Sequence, residues 1–234
     1  MSPPTGPTFV AFTTNALDDK TNVYPTETYN EEIVIKPDEK SINEAAKLLV
    51  KSQNIGILVG DRLVQTKTPF IPIKLAELLG AKVYSSNYSE MIFPNKHPNY
   101  INNLKLGFNS SDEFEEFDTV LAVGGLPRVS YMFSNPKMRI FNPESNLIHI
   151  DNDPAQVGTT EKTDIGILAD PSVALNKLTA KVEELLTGNQ IEYFSAKNHE
   201  LKKEKENLEI KNQKELNKIS DLSNVIIFEL SPGI

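Results

Sequence analysis

Two kinds of residue in this chain have the chemistry to handle a ligand: glycines and carboxylates that follow short apolar runs, and three histidines. Gly60-Asp61-Arg62 follows Ile55-Gly56-Ile57-Leu58-Val59, and Gly124-Gly125 follows Thr119-Val120-Leu121-Ala122-Val123. Asp151 and Asp153 come after Leu147-Ile148-His149-Ile150, and Asp170 comes after Ile165-Gly166-Ile167-Leu168. Glycine lets a backbone approach a phosphate closely, and a carboxylate at a strand end can accept from ribose hydroxyls. Arg128, just past Gly124-Gly125, could pair with a phosphate. Together these positions outline a nucleotide site. Each also has a plainer reading: Gly124-Gly125 as a strand-to-loop turn, Asp151 and Asp153 as turn or helix-start residues, Arg128 as half of a surface ion pair. No Gly-x-Gly-x-x-Gly occurs.

Imidazole can act as general acid or base near neutral pH. His97 lies in Phe93-Pro94-Asn95-Lys96-His97-Pro98-Asn99-Tyr100, with no partner acid or nucleophile spaced around it. Pro94 and Pro98 fix the path of that loop, so His97 reads as a structural loop histidine. His149, inside an apolar run, reads as a core residue, and His199, on a charged segment, as a solvated one.

The elements that must position these residues alternate along the chain. Ser41 and Glu44 have capping-box spacing, and Ile42, Ala45, Ala46 and Leu49 then mark one buried helical face. Residues 55–59 form a nearly all-apolar run, as expected of a parallel strand covered on both sides. A helix is predicted from about Pro69 to Leu79, stopped by Gly80 in a left-handed cap, and Lys82-Val83-Tyr84 is the next strand. Ser110 or Ser111 would cap a short acidic helix leading into residues 119–123. Residues 147–150 and 165–168 are further strands. Asp170-Pro171 is a helix start, an N-cap carboxylate with proline at the first helical position. Val173, Ala174, Leu178, Val182, Leu185 and Leu186 give that helix its stripe, and Gly188 is expected to end it. Alternation over 41–188 predicts an α/β, doubly wound, Rossmann-like parallel sheet with flanking helices on both faces.

Outside this middle the pattern changes. Thr8-Phe9-Val10-Ala11-Phe12 reads as a short strand and residues 18–37 as a linker. Residues 195–219 read as an exposed charged connector helix, supported by Lys202–Glu206 and Lys205–Glu209 spacing, with a partner-binding helix as the other reading. Val225-Ile226-Ile227-Phe228-Glu229-Leu230 reads as a strand. A net charge of −8 disfavours nucleic acid and anionic lipid as partners. There is no cysteine, hence neither disulfides nor thiolate metal sites. No apolar run reaches the roughly 18 residues of a membrane span, and no signal-peptide pattern opens the chain, so a cytoplasmic protein is expected.

Taken in order, Gly60-Asp61-Arg62, Leu75-Ala76-Glu77-Leu78-Leu79-Gly80-Ala81, Phe93 to Tyr100, Leu121 to Gly125, His149 to Pro154 and Gly166 to Asp170 resemble the central domain of thiamine-diphosphate-dependent enzymes, the family of benzoylformate decarboxylase and acetolactate synthase. The likeness covers roughly residues 6–230. It implies a division into 1–17 (end of a pyrimidine-binding domain, with Gly6-Pro7 opening its closing strand), 18–38 (linker), 39–190 (central Rossmann-like domain), 191–222 (connector helix) and 223–234 (start of a diphosphate-binding domain). It further implies a complete enzyme, a homo-oligomer, in which thiamine diphosphate and Mg²⁺ act on a 2-keto acid, with the cofactor as electron sink. The family's catalytic glutamate lies upstream of anything matched here, and its Gly-Asp-Gly metal motif does not occur. The chain alone is therefore expected to be inactive, needing pyrimidine-binding and diphosphate-binding domains or subunits. Some members hold FAD or ADP in this domain, which would match Gly60, Asp61, Arg62, Gly124, Gly125, Arg128, Asp151, Asp153 and Asp170. Leu126 to Phe133 is closer to the decarboxylase stretch than to the Arg-Phe-Asp-Asp-Arg run of FAD-containing synthases. The alternatives are a stand-alone nucleotide-binding module and a non-catalytic partner of separate thiamine-binding subunits.

Overall fold

The computed structural model describes residues 7, 9–18, 20–25, 34–66, 70–86, 93–104, 114–126 and 140–229, with side chains up to Ile219 except that of Gln65. The Arg128 expectation and the acidic helix capped by Ser110 or Ser111 lie outside them. Helix α1 (Thr14–Asp18) is followed by α2 (Glu39–Lys51), strand β1 (Ile55–Val59), α3 (Arg62–Gln65), α4 (Ile71–Leu79), β2 (Lys82–Ser85) and β3 (Tyr100–Asn103). Then come β4 (Thr119–Val123), β5 (Asn146–Asp151), β6 (Ile165–Leu168), α5 (Pro171–Leu185) and α6 (Gly188–Glu229). All six strands join one sheet in the order β3-β2-β1-β4-β5-β6, every pair parallel. Parallel pairing demands crossovers, and the expected α/β Rossmann-like sheet is what forms.

Side-chain alternation divides the core in two. Ile57, Val59, Leu121, Val123, Ile148 and Ile150 face α2, α4, α5 and Phe194 of α6, where Leu49, Leu75, Leu79, Leu175 and Leu178 close the layer. Leu58, Val120, Ala122 and Leu147 point the other way, against Phe114, Phe117, Ile140 and Phe141. Among the described residues that second face is covered by turn and loop aromatics rather than helices. Tyr84, Phe114 and Phe117 meet there edge-on or tilted, with centroids 4.9–6.1 Å apart.

Several local expectations are corrected. The start of α2 is Asp38, not Ser41: its carboxylate accepts from both the Ser41 amide (2.9 Å) and hydroxyl (3.1 Å), so the helix opens earlier. Glu44 reaches Lys40 instead of completing a capping box. Helix α4 begins at Ile71 and ends on Gly80 at φ +53°, as expected of a left-handed cap. Asp170 caps α5 as read, but Leu186 closes that helix and Gly188 opens the next one. Residues 9–12 form no strand, and Phe9 is 93% exposed. Residues 225–229 continue α6 rather than forming a strand; a helix pairs its own amides and carbonyls without needing a neighbouring strand. Lys205 Nζ donates to the Tyr100 carbonyl, 2.9 Å away, while Glu209 still acts on its charge. The short elements α3 and β3 were not foreseen.

Candidate functional site

The strand order reverses between β1 and β4, which leaves a crevice at their C-terminal ends. Gly60 ends β1 there and Gly124-Gly125 end β4. Asp151 closes β5, Asp153 follows it, and Asp170 lies just past β6, so the topology brings all these predicted positions to one rim. Asp61 sits exposed at the start of α3.

Backbone bonds tie the rim together. Gly60 donates to the Val123 carbonyl (2.9 Å), Gly124 to Ile150 (2.9 Å), Arg62 to Gly124 (2.9 Å) and Leu63 to Gly60 (3.1 Å). A Cβ at Gly60 would fall 2.6 Å from the Gly124 oxygen, and one at Gly124 would fall 2.7 Å from the Leu63 nitrogen. Gly124 also takes φ +70° and Gly125 φ +148°, regions that disfavour a side chain. These glycines let the two turns pack against each other, so the space a Cβ would need is filled by protein backbone.

The carboxylates are also engaged by the fold. Asp170 Oδ1 accepts from the amides of Ser172 (2.9 Å) and Val173 (3.1 Å) and from the Ser172 hydroxyl (2.6 Å). Asp153 accepts from the Ala155 amide (2.9 Å) and Gln156 Nε2 (3.3 Å), a local turn. Asp151 is fully buried and holds Arg62: Nε donates to Oδ1 at 2.6 Å, joined by the Asp153 amide at 2.8 Å. Burial pushes the Asp151 carboxyl up, but the His149 and Arg62 side chains and the Asp153 amide outweigh it, so it titrates below the usual carboxylate range.

His149 is the core residue that its apolar run predicts: fully buried, with Nε2 3.7 Å from Asp151 Oδ2. The residues i and i+2 of a strand share a face, so the spacing of 149 and 151 already carried this neighbour relation. Neither ring nitrogen of His149, nor Asp151 Oδ2, nor Asn152 Oδ1 has a hydrogen-bond partner among the described residues. Ala122 and Gly166 flank His149 in the sheet register, leaving it small neighbours.

His97 lies away from this rim, in the loop that enters β3. Its Nδ1 accepts from the Asn99 amide (3.2 Å), which leaves the Nε2 hydrogen for Glu77 Oε1 (3.3 Å), and its ring stands edge-on to Phe93. His199, on the exposed side of α6, bonds the Ser195 carbonyl. Beneath α6, at the N-terminal ends of β1 and β2, a cavity of about 190 Å³ is lined by Lys82, Glu116, Lys197, Glu200 and Glu204 among others.

Mg²⁺ and a diphosphate need carboxylate oxygens grouped on one point. Among the described residues no group of three His, Cys, Asp or Glu side chains is placed to hold a metal ion. With Asp170 capping a helix and Asp151 holding Arg62, the rim does not fit a metal–diphosphate group. Among the described residues no helix is long and apolar enough to cross a membrane.

The family model described as "Thiamine pyrophosphate enzyme, central domain" matches residues 42–178. Over 141 residues the chain is 30% identical to a Methanocaldococcus jannaschii protein named "Probable acetolactate synthase large subunit", a match covering 59% of this chain and 23% of that one. With an acetolactate synthase of Mycobacterium bovis it shares 27% over 154 residues, covering 62% and 23%. The chain spans about a quarter of the length of the curated relatives it matches. Among solved structures, benzoylformate decarboxylase from Polynucleobacter necessarius superposes with a TM-score of 0.60 at 20% identity, over 71% of this chain and 32% of that one. A thiamine diphosphate-dependent 4-hydroxybenzoylformate decarboxylase of Rhodococcus jostii gives 0.58 at 21%, over 65% and 29%. At these identities the structural likeness speaks for the fold.

Proposed function

Because the chain belongs to the thiamine pyrophosphate enzymes, carrying their central domain, we propose that it serves as the central-domain portion of a 2-keto acid decarboxylase or carboligase and has no turnover by itself. Its partners would be pyrimidine-binding and diphosphate-binding domains or subunits, and the complete enzyme would be a homo-oligomer using thiamine diphosphate and Mg²⁺. The observation that carries the inactivity is the state of the rim: the carboxylates Asp151, Asp153 and Asp170 each accept hydrogen bonds from the fold itself. The matched relatives, acetolactate synthase and benzoylformate decarboxylase by name, support the 2-keto acid class.

A calorimetric titration of the purified chain with thiamine diphosphate and Mg²⁺, beside a CO₂-release assay on pyruvate and benzoylformate, tests this. No binding heat and no CO₂ are expected. Saturable cofactor binding by the chain alone would overturn the proposal. The reversal of strand order at Gly60 and Gly124 favours a second reading, a nucleotide (FAD or ADP) in the crevice. Titration with ADP separates it from the first, since the rim glycines would have to part to admit a phosphate.

A further inference from the structure

The loop that enters β3 is joined to α6 through one imidazole. A backbone amide can only donate, so the Asn99 N–H, 3.2 Å away, makes His97 Nδ1 an acceptor. An ionised carboxylate can only accept, so Glu77 Oε1, 3.3 Å away, takes the Nε2 hydrogen. The two partners together select the neutral ring. That ring is held in place. Phe93 packs edge-on against it with centroids 5.2 Å apart, and Pro98 follows it in the chain. Turn bonds from the His97 amide to the Pro94 carbonyl (2.9 Å) and from the Tyr100 amide to the His97 carbonyl (3.0 Å) fix its backbone. Asn99 is buried, and its side chain donates to Asn198 Oδ1 of α6 (2.9 Å). Asn198 Nδ2 donates in turn to the Glu77 carbonyl (2.6 Å). The ring and the seat of the helix therefore share one residue.

We propose that His97 is a proton-operated latch for α6, closed by the neutral imidazole and opened when Nδ1 takes a proton. A proton on Nδ1 faces the Asn99 N–H with a second donor, and the buried amide loses its acceptor. The contact with Glu77 gains charge in exchange, but Glu77 is 57% exposed, and an exposed ion pair returns less than an unmade buried hydrogen bond costs. The surroundings act in the same direction. Among the described residues, the charged and titratable groups facing the ring are Glu77 from α4 and His199 and Lys202 from α6, around a cavity of about 230 Å³. One carboxylate thus stands against Lys202 and two imidazoles, so added positive charge on either ring pushes the helix from the loop. The contribution of the latch is complete above the ordinary imidazole value of about 6.5 and is lost as pH falls below it. Acid thereby loosens α6 at the sheet edge while leaving the sheet itself in place.

Hydrogen exchange of the full chain at about pH 7.5 and about pH 5, with each amide corrected for its intrinsic chemical rate, tests this. Residues 195–205 should lose about tenfold in protection at the lower pH. Strands β1 and β4 should keep theirs, since Asp151 stays ionised there. His97→Asn offers a carboxamide oxygen that does not titrate and can accept from the amide two residues on. Its protection should be high at both pH values. His97→Leu, with no acceptor, should show the low protection at both; if it does not fold, the unmodified chain and His97→Asn still decide. His199→Gln should keep the pH step, which separates the loop imidazole from the one on the helix. Equal protection of the unmodified chain at both pH values overturns the proposal. So does a step that survives in His97→Asn, one that vanishes in His199→Gln, or full protection in His97→Leu.

Discussion

Asp151 carries a negative charge into a place without solvent, and the Arg62 guanidinium balances it at 2.6 Å. Replacing Arg62 with methionine leaves that carboxylate buried without its cation. Urea unfolding near neutral pH should show a loss of about 3 kcal/mol, at the lower end for such pairs because Arg62 is partly exposed. The sign with pH follows from a folded-state carboxyl held below its ordinary range. Its contribution is complete above about pH 4, where the unfolded carboxyl is ionised, and is lost as pH falls through the lower folded value. With Arg62→Met one cause of the depression is gone, so the acid loss should begin at higher pH. Urea midpoints measured from neutral pH down to about pH 3 check both points. Gly60→Ala is the steric counterpart: its Cβ would meet the Gly124 carbonyl at 2.6 Å, backbone that cannot step aside. A loss of about 2 kcal/mol, and hence roughly 4–8 °C in thermal midpoint, is expected. Gly188→Ala, with open space around it, should leave the midpoint unchanged or raise it.

Among the elements, α6 is seated by buried Phe194 and Leu201 and by one buried amide that joins three segments. Asn99 Nδ2 donates to the carbonyls of Ala76 (3.3 Å) and Ala81 (2.9 Å) and to Asn198 Oδ1 (2.9 Å), joining the end of α4, the start of β2 and the helix. Asn99→Ala removes those donors at a cost of about 1–3 kcal/mol. Hydrogen exchange should show faster amides over residues 188–205, with β1 and β4 still protected; equal acceleration across the sheet would mean that α6 is not a separable unit. The element scale is also where reading the sequence succeeded and failed most instructively. The Asp170-Pro171 start of α5 was legible because an N-cap and its acceptor geometry are local. The start of α2 was misplaced because both Asp38 and Ser41 can cap, and the structure uses the carboxylate to bind the serine. Strand β3 was missed because Tyr100-Ile101-Asn102-Asn103 has no apolar period; it exists because β2 lies beside it with unpaired backbone groups.

At the scale of the whole molecule, the two apolar layers share the same central strands: Leu58 faces one and Ile57 and Val59 the other. Neither layer can melt while the other keeps its strands. Urea unfolding followed by far-ultraviolet dichroism, which reads the backbone, should therefore coincide with near-ultraviolet dichroism, which reads aromatic packing in both layers. Separated midpoints would show that the layer of Phe114, Phe117 and Phe141 loosens on its own.

The sequence by itself determined the parallel α/β fold, the strand-end placement of Gly60, Gly124, Asp151 and Asp170, and the resemblance to a central domain. The fold and the strand-end placement follow from local period and from signals that act within a few residues; the resemblance rests on the ordered series of motifs from Gly60 to Asp170. What those positions do was decided only by the tertiary structure. Whether Gly60 leaves room for a phosphate depends on Gly124, far along the chain, whose carbonyl fills the space. Whether Asp151 is available depends on Arg62 and His149, which reach it through pairing of strands that no local pattern specifies. The ends of the chain show the same division. Apolar, β-branched residues at 225–228 favour a strand locally, yet a strand needs a neighbour to complete its hydrogen bonds, whereas a helix pairs its own, and α6 continues through these residues.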